Sequence, residues 1–247
     1  MDGIWNGLAD LIWPPVCPLT GTRVSGHGLL SEPGWSSLTF LDAPCCHVCG
    51  LPFAYPGASG SDSLHACAPC LARPPLHDGA RAPLAYDDHS RGLVLGFKHG
   101  GRPEWVDRFA AWMQMCAPDW LADADALVPV PLHWRRRWSR RYNQSLLLAR
   151  ALGRRTGVPV DADSLLRRKP TPSQAGQSAG ARRRNVAGAF FVARPESVRD
   201  RRLILIDDVL TTGATANACA RQLKRAGAKT VYLMTLCRVA RTSDATI

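Results

Sequence analysis

One stretch constrains the fold of this chain more than any other: Leu203-Ile204-Leu205-Ile206-Asp207-Asp208-Val209-Leu210-Thr211-Thr212-Gly213-Ala214-Thr215. Its apolar opening, Leu203–Ile206, fits a strand buried on both faces. Two adjacent carboxylates stand at the strand's C-terminal end. A turn rich in hydroxyls and glycine follows, then a predicted helix Ala214–Ala226 stopped by Gly227. A strand–turn–helix unit of this kind belongs to a parallel sheet with helices on both faces, and such sheets bind ligands at the carboxyl ends of their strands. The helix N-terminus offers free amides and a positive dipole end to an anion. Gly213 lets the backbone approach closely, while Thr211, Thr212 and Thr215 add hydroxyl donors. Phosphate therefore belongs in the turn, and the acid pair suits vicinal hydroxyls or a hydrated Mg2+. Two strand-end acids capping a helix would account for Asp208 alone, not for the pair together with Thr-Thr-Gly-x-Thr.

Much of the chain has the same alternating texture. Strands are predicted at Ala82–Tyr86, Ala126–Val130, Phe190–Val192 and Thr230–Leu236, and helices at Ser90–His99, Pro103–Cys116 and Asn143–Arg155, the last closed by Gly157. Residues 16–72 differ. They are dense in Gly, Pro, Ser and Cys and show no sustained helical period, so this segment needs a staple. Before it, Met1–Trp13 reads as a short amphipathic helix stopped by Pro14-Pro15. The staple is visible in the cysteines. Cys46-His47-Val48-Cys49 and Cys67-Ala68-Pro69-Cys70 are separated by 17 residues, the spacing of a structural zinc site. Four thiolates leave no open position on the ion, so one Zn2+ here is structural and not hydrolytic. Cys45 neighbours Cys46 and either could ligate, but the two-residue gap to Cys49 favours Cys46. His47 and His65 lie close enough to substitute, but a place at the surface or behind the ligands is the expectation for both.

Charge divides along the same line. Residues 1–76 carry two bases against five acids, whereas the rest carry 29 bases and 15 acids, within a net charge of +11. Six of the nine cysteines precede residue 76. The change falls at Arg73-Pro74-Pro75, which divides the chain into 1–75 and 76–247. With 46% hydrophobic residues the chain is neither fibrous nor disordered. No apolar run approaches the ~20 residues of a membrane span, and no basic region precedes the first apolar stretch, so a secretory signal is not expected. Paired Cys-x-x-Cys motifs suit a reducing compartment, and a cytoplasmic protein without membrane insertion is the expectation.

Two long segments, 126–160 and 164–195, contain no acid. In the first, Arg135, Arg136, Arg137, Arg140 and Arg141 interleave with Trp134, Trp138 and Tyr142, the combination that holds single-stranded nucleic acid by charge pairing and base stacking. A second reading stands beside it: some of these arginines serve an anionic small ligand and the rest form a solvated face.

The acid pair and its turn resemble the phosphoribosyl-pyrophosphate (PRPP) signature of type I phosphoribosyltransferases. More of the chain resembles the ComF family, bacterial competence-associated proteins that join an N-terminal zinc ribbon to a phosphoribosyltransferase domain. Further matches are Phe97-Lys98-His99-Gly100-Gly101, Val128-Pro129-Val130-Pro131-Leu132-His133, Tyr142-Asn143-Gln144, and Gln174 through Arg182-Arg183-Arg184-Asn185-Val186-Ala187-Gly188-Ala189-Phe190. The resemblance runs from about Pro14 to Val239.

It implies an α/β fold with a Rossmann-like parallel sheet and a PRPP site over Asp207–Thr215. In that site Asp207 and Asp208 hold the ribose 2′ and 3′ hydroxyls, Thr211–Thr215 hold the 5-phosphate, and Val209, Leu210, Gly213 and Ala214 complete the signature. Pro131, Leu132 and His133 would form the pyrophosphate loop, Mg2+ would accompany PRPP, and Arg167–Arg184 would be a closing loop. The implied role is in DNA uptake and natural transformation, handling single-stranded DNA with uptake or recombination proteins as partners; the arginine–aromatic segment read above would then supply Trp134, Arg136, Arg137, Trp138, Arg140 and Arg141 as the nucleic-acid contacts. Two rivals remain: a metabolic phosphoribosyltransferase acting on a nucleobase or other amine, and a non-catalytic module regulated by PRPP. Two departures from the family pattern stand out. Cys17, Thr20, Ser31 and Gly34 occupy what look like the ligand positions of a first ribbon, leaving one thiolate there and no means of holding zinc. Thr211 stands where purine-salvage relatives carry the acid expected to act as general base.

Overall fold

The computed structural model describes residues 14–53, 65–99, 104–132, 142–168, 184 and 186–239. The predicted helix at Met1–Trp13, His133, the arginine–tryptophan segment 134–141 and most of the predicted closing loop lie outside them.

The main sheet is parallel throughout. Strand β3 (Ala126–Pro129) lies beside β6 (Arg202–Leu210), which lies beside β7 (Thr230–Arg238), and the far edge is made by β1 (Gly79–Arg81) and β2 (Leu84–Ala85), both paired with β7. Successive residues of β6 point to opposite faces. Ile204 and Ile206 enter one core, with Leu127, Met234 and Leu236 and residues of three helices, α3 (Asp88–His99), α4 (Glu104–Cys116) and α6 (Gln144–Thr156). Leu203 and Leu205 enter the other, with Val128, Val231, Leu233 and α7 (Ala214–Arg225). All four β6 side chains are fully buried, which is why the strand is an unbroken apolar run.

Several expectations change. β6 continues through the acid pair to Leu210, and β7 to Arg238, because the two strands keep pairing up to Leu210 opposite Arg238. Partner strands, not hydropathy, set their ends. The single strand predicted at Ala82–Tyr86 is two short pieces on either side of Ala82-Pro83, where proline has no N–H to give the ladder. Phe190–Val192 (β5) is a strand but not part of the parallel sheet: it pairs antiparallel with β4 (Leu165–Arg167) as a separate ribbon. Among the described residues of 16–72 two one-turn helices form, α1 (Glu32–Ser36) and α2 (Ala68–Ala72), and α5 (Pro118–Ala122) precedes β3.

The N-terminal segment packs on the sheet edge. Phe40 bridges antiparallel to Leu84, Leu41 N–H donates to the Pro83 carbonyl (2.8 Å), and Ala85 N–H donates to the Thr39 carbonyl (2.9 Å). Gly50 lies so close to β1 that a Cβ there would come within 2.6 Å of the Ala80 carbonyl oxygen. The ribbon therefore caps an edge that would otherwise present unpaired backbone groups.

Candidate PRPP site and metal centre

The C-terminal end of β6 holds the two carboxylates in different surroundings. Asp207 Oδ1 accepts from Ser145 Oγ (3.0 Å) and from the Asp208 backbone N–H (2.9 Å). Burial, reinforced by the neighbouring charge of Asp208, pushes the Asp207 carboxyl up to about 7. Asp208 is ion-paired with Lys98 Nζ at 2.8 Å, both side chains being less than a fifth exposed. Lys98 was not among the residues singled out from sequence. Its signal lay in the Phe97-Lys98-His99 match, read there only as a family resemblance.

The segment Tyr142–Ser145 assembles this arrangement side chain by side chain. Tyr142 OH donates to the Phe97 carbonyl (2.6 Å) and Gln144 Nε2 to the Lys98 carbonyl (3.3 Å), fixing the end of α3 that carries the lysine. Asn143 caps α6, its side-chain oxygen accepting from Ser145 N–H (3.1 Å), while its amide nitrogen donates to the Val130 carbonyl (3.2 Å) just past β3. Ser145 then reaches Asp207.

After Leu210 comes the turn Thr211–Gly213. Gly213 is left-handed, at φ 70°, and starts α7, a conformation that glycine adopts without strain. The Thr212 hydroxyl is buried and has no hydrogen-bond partner among the described residues. Pro131 and Leu132 follow β3, and Val130 N–H donates to the Ile206 carbonyl (2.9 Å), so both lie at the same end of the sheet as the acid pair.

The metal ligands predicted from spacing come together. The sulfurs of Cys46, Cys49, Cys67 and Cys70 all lie within 4.8 Å of one another, and those of Cys49 and Cys67 are 3.6 Å apart. A tetrahedron with Zn–S bonds of about 2.3 Å places its sulfurs about 3.8 Å apart, so the group fits that ion. Cys46 Sγ accepts backbone N–H from Cys49 (3.4 Å) and Cys67 (3.3 Å). Cys46, not Cys45, belongs to this group of sulfurs, and Cys45 forms a backbone bridge to Pro52.

The first knuckle keeps the shape without the ligands. Val16 bridges to Arg23 as Cys45 bridges to Pro52. Thr20 Oγ1 lies 2.9 Å from Ser31 Oγ and 2.7 Å from Thr22 Oγ1, and Gly34 sits where a Cβ would come within 2.7 Å of Cys17 Sγ. Burial alone would raise the Cys17 thiol, but hydrogen bonds from Ser31 and Thr20 outweigh it and hold it at about 6. Hydroxyls close this loop where thiolates would close a metal site.

The parallel sheet, the strand-end acid pair and the four-cysteine cluster define a protein of the type I phosphoribosyltransferase fold carrying an N-terminal zinc-ribbon segment. The double zinc ribbon domain family matches residues 8–71 and the phosphoribosyl transferase domain family residues 143–245. The chain belongs to the ComF family. It is 32% identical to DNA utilization protein YhgH of Escherichia coli (strain K12) over 208 residues, 82% of this chain and 88% of that one. It is 33% identical to Competence protein F of Haemophilus influenzae (75% and 85% of the two chains) and 28% identical to Competence protein ComFC of Bacillus subtilis (82% and 81%). Among solved structures, purine phosphoribosyltransferase from Pyrococcus horikoshii matches 56% of this chain and 82% of its own at 17% identity and a TM-score of 0.36. Among the described residues no helix is long and apolar enough to cross a membrane.

Proposed function

We propose that this chain binds PRPP at the C-terminal end of β6 and serves in the handling of incoming single-stranded DNA. The Thr212 hydroxyl carries the first half of the reading. It is buried without a partner in the turn between the acid pair and α7, and such a donor costs about 1–3 kcal/mol until it is satisfied. A phosphate oxygen matches it, and the N-terminus of α7 turns the positive end of its dipole toward the same place. Asp207 and Asp208 accept from the ribose 2′ and 3′ hydroxyls, Thr211–Thr215 hold the 5-phosphate, and Pro131, Leu132 and His133 flank the pyrophosphate with its Mg2+. Lys98 places a cation beside the acids, where the negative groups of PRPP gather. One zinc held by Cys46, Cys49, Cys67 and Cys70 cross-links the ribbon of residues 1–75 and leaves 76–247 as the PRPP-binding part. A thiolate cluster of this kind suits the reducing cytoplasm.

Support for the DNA role comes from the names of two relatives, a DNA utilization protein and a competence protein, and from the arginines and tryptophans of 134–141. Two titrations test the proposal. PRPP with Mg2+ should bind, and Asp207→Asn with Asp208→Asn should weaken it by about 3 kcal/mol or more, since hydrogen bonds to charged groups contribute about 1.5–3 kcal/mol each. Equal affinity in calorimetry would refute the ribose assignment. A fluorescent oligonucleotide should bind with log affinity falling by about 0.7 per phosphate contact against log salt. Replacing Arg136, Arg137, Arg140 and Arg141 together should flatten that slope, and replacing Trp134 and Trp138 should lower affinity at unchanged slope. Absence of binding at low salt removes the DNA role and leaves the PRPP site.

A further inference from the structure

We propose that Arg238, the last residue of β7, is a positioning residue of the metal centre, neutralising its thiolate charge and tying it to the strand end that carries the phosphate turn. The inference rests on the zinc reading above. Arg238 is buried, at 8% exposure, and its Nη2 donates to Cys49 Sγ at 3.2 Å. Among the described residues no carboxylate lies within ion-pair distance of it. A guanidinium buried without a carboxylate is costly unless another anion answers it. The sulfur cluster is that anion, because four thiolates carry more negative charge than a divalent ion cancels.

Cys46 accepts from the backbone N–H groups of Cys49 and Cys67, and Cys49 accepts a side-chain donor, the arginine. Arg81 reaches the same knuckle from β1 but hydrogen-bonds oxygen, donating to the carbonyls of Cys46 (3.3 Å), His47 (3.2 Å) and Ala80 (2.8 Å), and its guanidinium lies over the Trp120 ring at 5.0 Å. The backbone of Arg238 completes the link. It stands opposite Leu210, and the next N–H, that of Val239, donates to the Leu210 carbonyl (2.9 Å), one residue before Thr211.

The rate of zinc release from the full-length, reduced chain to a chromogenic chelator tests this, with zinc content measured first. Groups that hydrogen-bond metal ligands typically change metal affinity by about 10–100-fold when removed. Arg238→Met should accelerate release by at least about tenfold, and Arg238→Lys, which keeps the charge without the fork, should fall between it and the parent. Arg81→Met loses the carbonyl bonds and the contact with Trp120 but no bond to sulfur, and should stay well under tenfold. Release from Arg238→Met at the parental rate, or an equal acceleration in Arg81→Met, overturns the inference, the second because it reduces the effect to docking of the knuckle. If Arg238→Met does not fold, Arg238→Gln is judged by the same tenfold threshold. A folded parent without zinc would bring down the zinc reading itself; a zinc-loaded parent with unresponsive variants brings down only the role of Arg238.

Discussion

Asp207 is a carboxyl whose folded environment opposes its ionisation, and that has a consequence for pH. Its carboxyl is pushed up to about 7 by burial and by Asp208, whereas in the unfolded chain it titrates near 4. Between these values the folded state keeps a proton that the unfolded state has lost, so this group's contribution to stability is lost as pH rises through about 7. Asp207→Asn keeps the shape and removes the titration. The variant should melt above the parent, by a margin that grows from about pH 5 to pH 8 in thermal scans; a margin that shrinks with pH contradicts the assignment. Lys98 is the complementary case. Its pair with Asp208 is mostly shielded from water, so Lys98→Met should cost about 1–3 kcal/mol in urea unfolding. Adding Asp208→Asn should recover part of that loss if the two interact directly.

At the scale of elements, the site is held by the start of α6 and the end of β6. Asn143 both caps α6 and holds the chain past β3, so Asn143→Ala should destabilise by about 1 kcal/mol as a lost cap. It should also weaken PRPP binding, read in the same calorimetric titration as the parent. Helices α3, α4, α6 and α7, β3 and the core of β6 were legible in sequence because their signals are local: apolar period, Gly157 after α6, Gly213 before α7. The four cysteines were legible because ligand spacing is chemistry written directly in the chain. The ends of β6 and β7 were not, since Asp207, Asp208 and Arg238 look like loop residues until a neighbouring strand supplies their backbone partners. Nor was the separate pairing of Phe190–Val192, because pairing is a property of two segments and β4 carries only three residues. Lys98 and Arg238 escaped for a related reason. One cation among many becomes informative only when its partner, distant in the chain, is known.

For the molecule as a whole, the ribbon and the sheet share one boundary. Withdrawing the metal with a strong chelator should loosen residues 39–53, whose order depends on the cysteine cluster beside them. Limited proteolysis should then cut first in this region, while the parallel sheet remains protected. Cys17→Ser should leave metal content unchanged, because hydroxyls already close that knuckle; a fall in bound zinc would mean that Cys17 ligates after all. The cover that residues 39–41 lay along β2 also bears on how such a protein can be divided. A fragment starting at residue 76 would lose Leu38 and the packing of Leu19, Leu30 and Phe40 from one core and expose the flank of β2, an open template for another polypeptide. Such fragments should recruit one another, forming dimers or larger aggregates in sedimentation at concentrations where the intact chain does not.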